Sequence, residues 1–439
     1  MNSIHERLKK IKSESFKALT ITPAEKNEAL SKISHALSDN KEFIFAENQK
    51  DLLVATKASI PTPVLKRLLL DESKLNDLLK GISDLIAMEE PCFKTTLKRE
   101  LDKNLILERV TCPIGLIGVI FEARPDALVQ ITSLCIKTAN YVILKGGSEA
   151  KYTNKALHKI ISDALSDTAL SENFVTLLEN RDEIKELLTC HDCIDLLIPR
   201  GSNEFVQYLM ENTKIPVMGH ADGICHVYVD EFADVKKAIQ IIKDSKTQYV
   251  AACNTVETVL IHESIAAKIL PDLNNALKSA DVKILGCPET EKYLKCEKAT
   301  EDDFKTEYLD YIVSIKVIKN IDEAISHINK YGSHHTDAII TENDSNAKKF
   351  MLQTDSAGVY RNCSTRFADG YRYGFGAEVG ISTGKLHARG PVGLDGLLTF
   401  FITFDHAFDF IISSARFSFA CSSSFLITFL SSSMFLALF

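Results

Sequence analysis

One cysteine stands in a sequence context that can make it a nucleophile. Cys253 lies within Tyr249-Val-Ala-Ala-Cys-Asn-Thr-Val-Glu-Thr, directly before a strongly β-forming run. A loop between a helix and a strand can expose a thiol to a cleft and surround it with backbone N–H donors. A thiolate attacks acyl carbons and also leaves tetrahedral adducts readily. The alternative is a buried and inert cysteine, which is the more common state of any single cysteine.

Two other segments have the chemistry of a cofactor site at the end of a strand. Lys145 follows a short apolar run and opens a Gly-Gly-Ser turn into a helical stretch. The carboxyl ends of strands are where α/β sheets bind ligands. Arg200-Gly-Ser-Asn follows another apolar run in the same way and opens a predicted helix at 204–210. Gly201 allows close backbone approach, and Ser202 can cap a helix whose N-terminus attracts phosphate.

Metal ligation is the weaker interpretation of two other groups. His334 and His335 are adjacent, so their side chains point apart, and Cys190-His-Asp-Cys lacks a second ligand pair at zinc-like spacing. We therefore predict no metal site.

The elements that must position these residues follow an α/β pattern. Residues 1–95 are predicted to be helical, with a break at Pro61 and Pro63 and a further helix at 64–80. Residues 98–111 alternate like two paired strands around a turn at 102–104. The predicted buried strands are 115–121, 141–144, 174–178, 194–198, 226–229, 256–261, 282–285 and 311–318. Helical stretches between them predict two doubly wound α/β domains in series, with mainly parallel sheets.

Composition restricts the class of protein. The 439 residues carry a formal charge of −8, which gives no basic excess for nonspecific nucleic-acid binding. The N-terminus lacks the apolar stretch of a secretory signal, and eleven scattered cysteines favour reduced thiols in the cytoplasm. Residues 401–439 form an atypical tail rich in Phe and Ser, whose apolar stretches are shorter than the roughly 20 residues of a membrane span. We predict no membrane insertion and assign this tail no function, because a non-native extension is the simpler explanation.

A series of ordered motifs resembles one enzyme family. The first is Thr111-Cys-Pro-Ile-Gly-Leu-Ile-Gly-Val-Ile-Phe-Glu-Ala-Arg-Pro-Asp, and the rest include Leu144-Lys-Gly-Gly-Ser-Glu-Ala, Ile198-Pro-Arg-Gly-Ser, Gly219-His-Ala-Asp-Gly-Ile-Cys-His, Ala252-Cys-Asn-Thr-Val-Glu-Thr, Tyr331-Gly-Ser-His-His-Thr-Asp, Asn362-Cys-Ser-Thr-Arg-Phe-Ala-Asp-Gly and His387-Ala-Arg-Gly-Pro-Val-Gly. Over about residues 5–398 the chain is similar to the γ-glutamyl phosphate reductases of the aldehyde dehydrogenase superfamily. The amino-acid sequence of these motifs is especially similar to that of the reductase half of fused eukaryotic pyrroline-carboxylate synthases.

The resemblance implies a reaction and a nucleophile. Cys253 would attack the acyl phosphate of L-glutamyl 5-phosphate, and hydride from NADPH would convert the resulting thioester to L-glutamate 5-semialdehyde in proline biosynthesis. The N–H of Cys253 and the side chain of Asn254 are candidates for the oxyanion hole, although Asn254 is equally well explained as a turn residue. His220 stands where hydrolytic aldehyde dehydrogenases carry a water-activating glutamate, and it can assist proton transfer or be structural.

The resemblance also implies binding residues. Lys145 would contact the adenosine ribose, and Ser148 replaces an acid that NAD-preferring relatives often carry, which favours NADP(H). An inward turn of Glu149 would oppose that preference. Gly201 and Ser202 would hold phosphate, and Glu307 would hold the nicotinamide ribose. The expected substrate-binding residues are Arg124, Ser364, Thr365 and Arg366, with surface ion pairs as the alternative for the arginines.

The implied architecture is aldehyde dehydrogenase-like: two doubly wound α/β domains and a small β oligomerisation arm. We predict an NADP-binding domain at 1–226 with part of the arm near 98–111. A catalytic cysteine domain follows at 227–370, and residues 371–400 return to the cofactor domain and the arm. A homo-oligomer is expected, and a separate glutamate kinase is a candidate partner because no kinase half precedes this sequence. The alternatives are a non-phosphorylating aldehyde dehydrogenase for another short aldehyde and a noncatalytic scaffold for a kinase.

Overall fold

The computed structural model describes residues 4–102, 104–171, 173–179, 182–201, 203–219, 222–376 and 378–405. Its helices are α1 (Ile4–Ser15), α2 (Pro23–Asp39), α3 (Lys41–Lys57), α4 (Thr62–Leu68), α5 (Glu72–Ala87), α6 (Pro125–Lys137), α7 (Lys151–Leu165), α8 (Asp182–Leu187), α9 (Asn203–Asn212), α10 (Val235–Thr247), α11 (Glu263–Lys278), α12 (Pro288–Glu291), α13 (Ile321–Tyr331) and α14 (Asp344–Gln353). Its strands are β1 (Thr95–Asp102), β2 (Leu105–Pro113), β3 (Leu116–Phe121), β4 (Tyr141–Gly146), β5 (Val175–Leu177), β6 (Leu196–Arg200), β7 (Cys225–Val229), β8 (Val256–His262), β9 (Lys283–Gly286), β10 (Glu297–Lys298), β11 (Ile312–Ile318), β12 (Thr336–Ile340), β13 (Gly358–Arg361), β14 (Gly380–Ser382), β15 (Gly390–Val392) and β16 (Leu398–Asp405).

The N-terminal region is helical, as predicted, and one predicted helix is divided. Helix α2 begins with a capping box between Thr22 and Glu25. The continuous helix predicted at 64–80 is wrong, because α4 ends at Leu68 and α5 begins at Glu72. The side chain of Asp71 accepts a hydrogen bond from the backbone N–H of Lys74 and so starts a new helix.

A four-stranded parallel sheet forms the core of the N-terminal half. Its strand order is β5-β4-β3-β6, and β3 and β4 are buried along their whole length. The N-terminal helices and part of the 371–400 segment, including Val379, Val392 and Leu397, share one apolar cluster with this sheet. The carboxyl ends of β3, β4 and β6 therefore meet at one edge.

A seven-stranded parallel sheet, in the order β10-β9-β11-β8-β7-β12-β13, forms the second half. Alternate residues of one strand enter different apolar clusters: Val227 and Val229 pack in one, and Tyr228 packs in another. Both faces are thus covered, which explains the continuous apolar runs in the sequence. Because β8, β7 and β12 are neighbours, the loops that precede them meet at the amino edge of the sheet.

The contacts divide the chain into two compact units. The larger unit contains the residues before 95 and those from 111 to 400. The smaller unit contains residues 95–110 and the described residues after 400. In the smaller unit β1 and β2 pair antiparallel, as the alternation at 98–111 predicts, and β16 extends the sheet in the order β1-β2-β16. Strand β16 continues to Asp405, five residues into the predicted tail, and residues 406–439 lie outside the described residues. Within the part of the chain that the structure describes, no helix has the length and apolar character to span a membrane.

Candidate active site

Cys253 is half-buried in the turn between α10 and β8. The backbone N–H of Thr255 donates to the carbonyl of Ala252 at 2.9 Å. The hydroxyl of Thr255 donates to the carbonyl of Tyr249 at 2.7 Å. These two bonds fix the turn that presents the thiol, in the loop where the sequence predicts it.

The loop before β7 packs directly on the backbone of Cys253. A Cβ atom added to Gly223 would lie 2.1 Å from the carbonyl oxygen of Cys253 and 2.4 Å from its Cα. Only glycine therefore allows this approach. Two residues later, the Cys225 Sγ donates to the same carbonyl oxygen at 3.3 Å.

A histidine that was considered from the sequence only as a metal ligand contacts the thiol. The Nε2 atom of His335 lies 3.2 Å from the Cys253 Sγ, and its Nδ1 atom lies 2.9 Å from the Oγ1 of Thr336. His334 turns away, with its Nδ1 2.6 Å from the carbonyl oxygen of Asp355. The signal in the sequence is a histidine directly before a β-forming run, and it becomes informative only when the strand order is known.

Two arginine side chains lie within electrostatic range of the thiol. They are Arg200, at the end of β6, and Arg366, in the loop after β13. Burial lowers the pKa of both guanidinium groups, and the neighbouring Arg124 and Arg372 lower them further. The Nε of Arg366 is buried with no hydrogen-bond partner among the described residues. Such a cluster of buried guanidinium groups attracts an anion. Arg124 and Arg366 were predicted from the sequence, whereas Arg200 was not.

Three other predicted residues make structural contacts around the Cys253 turn and the Arg366 loop. The side-chain amide of Asn254 donates to the carbonyl of Ala368 at 2.8 Å and ties the Cys253 turn to the Arg366 loop. The hydroxyl of Ser364 accepts a bond from the backbone N–H of Arg366, and Thr365 is fully buried. Their predicted direct roles, in the oxyanion hole and in substrate binding, stay predictions.

The carboxyl edge of the four-stranded sheet carries the predicted cofactor residues. Lys145 is buried at the end of β4, where its Nζ donates to the carbonyl of Gly146 at 2.6 Å. Ser148 is exposed and begins a short 3-10 helix. The carboxylate of Glu149 turns inward and accepts a bond from the backbone N–H of Ala123, at the end of β3. Gly201 follows β6, and an added Cβ would lie 2.6 Å from the Glu122 carboxylate. The predicted cofactor residues thus lie at the edge where open α/β sheets bind ligands.

Glu307 lies in the loop before β11 and contacts helix α9. Its carboxylate accepts a bond from the side-chain amide of Asn203, on α9, at 2.6 Å. The same amide donates to Asp222 at 2.6 Å. The structure thus brings Glu307 to the first residue of α9, while its role toward a ribose stays a prediction.

Lys246 and Glu257 form a fully buried hydrogen-bonded pair in the two elements that flank the thiol loop. The Lys246 Nζ on α10 lies 2.6 Å from the Glu257 Oε2 on β8, four residues after Cys253. Burial raises the pKa of Glu257 to about 8, although Lys246 lowers it, and burial lowers the pKa of Lys246. The pair links α10 and β8, the two elements that the Cys253 turn joins.

Two predicted site residues, His220 and Ser202, lie outside the described residues. One possible metal group occurs in the described part of the chain: His5, Asp192 and Cys193, with ligand atoms within 4.8 Å of one another. Lys9 also pairs with the Asp192 carboxylate, so a cation already occupies this cluster, and we propose no metal there.

Known proteins with similar sequence and structure fit this arrangement. A model of the aldehyde dehydrogenase family matches residues 87–291. The γ-glutamyl phosphate reductase of Acetivibrio thermocellus is 54% identical over 398 residues, which cover 91% of this chain and 92% of that protein. The enzyme of the same name from Pelotomaculum thermopropionicum is 53% identical over 397 residues, covering 90% and 92%.

Solved structures agree with the sequence comparisons. The crystal structure of γ-glutamyl phosphate reductase from Thermotoga maritima is 38% identical, has a TM-score of 0.90, and the match covers 93% of this chain and 99% of that chain. A glyceraldehyde-3-phosphate dehydrogenase from Methanocaldococcus jannaschii, complexed with NADP, is 16% identical with a TM-score of 0.64 over 92% of this chain and 95% of that chain, which shows the fold alone. The predicted aldehyde dehydrogenase-like fold is confirmed, and the chain belongs to the γ-glutamyl phosphate reductase family.

Proposed function

We propose that this chain reduces L-glutamyl 5-phosphate to L-glutamate 5-semialdehyde, with release of phosphate, as a step of proline biosynthesis. The observation that carries the proposal is a half-buried thiol, Cys253, that lies within electrostatic range of the buried guanidinium groups of Arg200 and Arg366. The substrate is an acyl phosphate, so its reacting carbon needs a nucleophile and its leaving group needs cations. Membership of the family supports the same reaction.

The mechanism follows from these groups. The Cys253 sulfur attacks the acyl carbon, and the bond from that carbon to the phosphate oxygen breaks. Arg366, Arg200 and Arg124 stabilise the departing phosphate, and the backbone N–H of Cys253 stabilises negative charge on the acyl oxygen. The resulting thioester is the group to be reduced. When its product adduct collapses, the Cys253 thiolate is the leaving group and is regenerated.

The family implies a nicotinamide cofactor, and we propose NADP(H), which supplies hydride to the thioester carbon when bound. Lys145, Ser148, Gly201 and Glu307 would hold it, together with Ser202. The exposed Ser148 leaves room for a 2′-phosphate without a carboxylate at its own position. Glu149 turns inward, but its carboxylate accepts a hydrogen bond from the backbone N–H of Ala123. We therefore base the preference for NADP(H) on Ser148.

The domain roles and partners follow from the same proposal. Residues 1–226 and 371–400 would serve the cofactor, and residues 227–370 would serve the thiol chemistry. The sheet of β1, β2 and β16 would join copies of the chain into a homo-oligomer, and its Phe401, Ile402 and Phe404 are each about half exposed. A separate glutamate kinase stays a predicted partner. The ten described cysteines are all free, which supports work in the cytoplasm.

The test is the reverse reaction, the phosphate-dependent oxidation of glutamate semialdehyde, followed as formation of NADPH. Native protein should be active only with phosphate, and Cys253→Ala should lose activity by a factor on the order of 10⁴. Cys296→Ala, at another half-buried cysteine, is the matched control and should retain activity. Activity without phosphate would instead indicate a hydrolytic aldehyde dehydrogenase. Inactivity of folded native protein would favour the noncatalytic scaffold.

A further inference from the structure

The imidazole of His335 lies between two thiols and is held on one side. Its Nε2 is 3.2 Å from the Cys253 Sγ, and its Nδ1 is 2.9 Å from the Thr336 Oγ1 and 3.8 Å from the Cys225 Sγ. The side chain is only 1% exposed, so packing fixes the ring. When the Nδ1–H donates to Thr336, Nε2 is the basic nitrogen and faces the reacting sulfur.

Three neighbouring strands create this contact. Cys253 precedes β8, Cys225 begins β7, and His335 precedes β12, and these strands lie side by side in the order β8-β7-β12. The Gly223 backbone packs against that of Cys253, and the Cys225 thiol donates to the Cys253 carbonyl. The thiol and the imidazole are therefore held by the same edge of one sheet, as a nucleophile and its base must be.

We propose that His335 is the catalytic base for Cys253, an inference that rests on the proposed function. The Cys253 S–H bond breaks as Nε2 of His335 takes the proton and the sulfur attacks the acyl carbon. The carbon–oxygen bond to phosphate then breaks, and the imidazolium returns the proton to the departing oxygen. The products are a thioester and hydrogen phosphate, so protons and charge balance without a further reactant. A leaving group that would otherwise depart as a trianion makes this return of the proton useful.

The other groups around the thiol have different roles. Arg200 and Arg366 lie within electrostatic range of Cys253, but a guanidinium group cannot accept a proton. Burial raises the pKa of Cys225 well above its ordinary value, and the nearby Asp337 raises it further, so this thiol stays protonated as a donor. The negative charge of Glu378 raises the pKa of Arg200, so this carboxylate interacts with the arginine. Among the described residues that contact the sulfur, His335 is thus the group suited to accept its proton.

The proposal is tested first by the reactivity of one thiol. Native protein and His335→Gln are treated with iodoacetamide between about pH 5.5 and 9.5, and alkylation of each cysteine is measured by peptide mass spectrometry. The variant should slow Cys253 alkylation roughly tenfold at neutral pH and move its profile about one pH unit upward. Cys112 and Cys296 are internal controls whose rates should not change. An unchanged Cys253 profile would overturn the pairing, as would a shift caused by His220→Gln in its place.

Turnover then separates a base from a structural group. His335→Gln should lower kcat by roughly 10²-fold or more, with little change in the KM for phosphate. Thr336→Val, which removes only the partner of Nδ1, should show a smaller loss in the same direction and provides the test if His335→Gln does not fold. A shifted alkylation profile with an unchanged kcat would overturn the role as base. If native protein lacks the reductase activity while the profile still depends on His335, the pairing is supported and the proposed reaction is what fails.

Discussion

The two parallel sheets of the larger unit carry the candidate functional residues at opposite ends of their strands. In the four-stranded sheet, Lys145, Arg200 and Gly201 lie at or just beyond carboxyl ends, where open α/β sheets bind ligands. In the seven-stranded sheet, Cys253 and His335 lie just before amino ends. The residues of the first edge can each be predicted from one segment of the chain. The contact between Cys253 and His335 at the second edge forms only because β8, β7 and β12 are adjacent.

The packing around the two edges also differs. At the amino edge of the seven-stranded sheet, backbone packs on backbone, as in the contact between Gly223 and Cys253. The fully buried pair of Lys246 and Glu257 links the two elements next to this contact. The cofactor edge is lined by side chains that can move, such as the Glu122 carboxylate beside Gly201. We therefore expect substitutions around Cys253 to be tolerated less well than substitutions at the carboxyl edge of the four-stranded sheet.

The largest expected effect is at the buried pair in the thiol half. Glu257→Ala removes the carboxyl group that contacts the buried Lys246 Nζ and leaves that nitrogen without this partner, so the free energy of unfolding should fall by about 3 kcal/mol. Urea denaturation measures this value. Glu342→Ala, which breaks the exposed pair with Lys237, is the matched control and should change it by less than about 1 kcal/mol. Equal losses in the two variants would contradict a special role for burial.

The same pair predicts a pH dependence of stability. Burial raises the pKa of Glu257 from 4.5 to about 8, so between these values the folded chain binds a proton that the unfolded chain releases. The contribution of Glu257 to the free energy of unfolding therefore decreases as the pH rises from about 4.5 to about 8. Denaturation at several pH values in native protein and Glu257→Gln should show a shallower decline in the variant. A parallel decline would contradict the assignment.

The next effect compares one glycine from each edge. Gly223→Ala forces a methyl group against the backbone of Cys253, and the displaced thiol should lower kcat roughly 10²-fold. Gly201→Ala meets the movable carboxylate of Glu122, so it should mainly raise the KM for NADPH, about threefold. Steady-state kinetics on both variants measures the difference. A larger loss of kcat in Gly201→Ala would reverse the comparison.

A smaller effect is expected at Arg366. Arg366→Gln removes a guanidinium group beside Cys253, and the KM for phosphate in semialdehyde oxidation should rise about 30-fold. The KM for NADP should stay constant. Arg361→Gln, at an arginine that pairs with Asp344, is the control and should leave both constants unchanged. An equal rise in the two KM values would indicate a general structural defect.

The smallest effect is expected at the cofactor edge. Ser148→Asp places a carboxylate where a 2′-phosphate would lie, so the ratio of kcat/KM for NADPH to that for NADH should fall about tenfold. Ser38→Asp adds the same charge at another exposed serine, on α2, and should leave the ratio unchanged. A constant ratio in Ser148→Asp would move cofactor choice to another residue.

Local sequence patterns determine much of this fold. Apolar runs mark β3, β4, β6, β7 and β8, since strands buried on both faces must be apolar throughout. The helical period marks α7 over its full length. The break between α4 and α5 was missed because Asp71 acts as a cap through one hydrogen bond, a choice that helical periodicity does not reveal.

The candidate site divides along the same line. The sequence by itself determined the positions of the candidate thiol and of the strand-end lysine, because a cysteine before a β-forming run and a lysine after an apolar run are local features. Only the tertiary structure decided that His335 contacts that thiol, since Cys253 and His335 are 82 residues apart in the chain, and that Arg200 lies within electrostatic range of it. It also decided that Glu149 turns inward. Strand order and side-chain direction arise from packing between distant segments, and no local pattern of residue types encodes them.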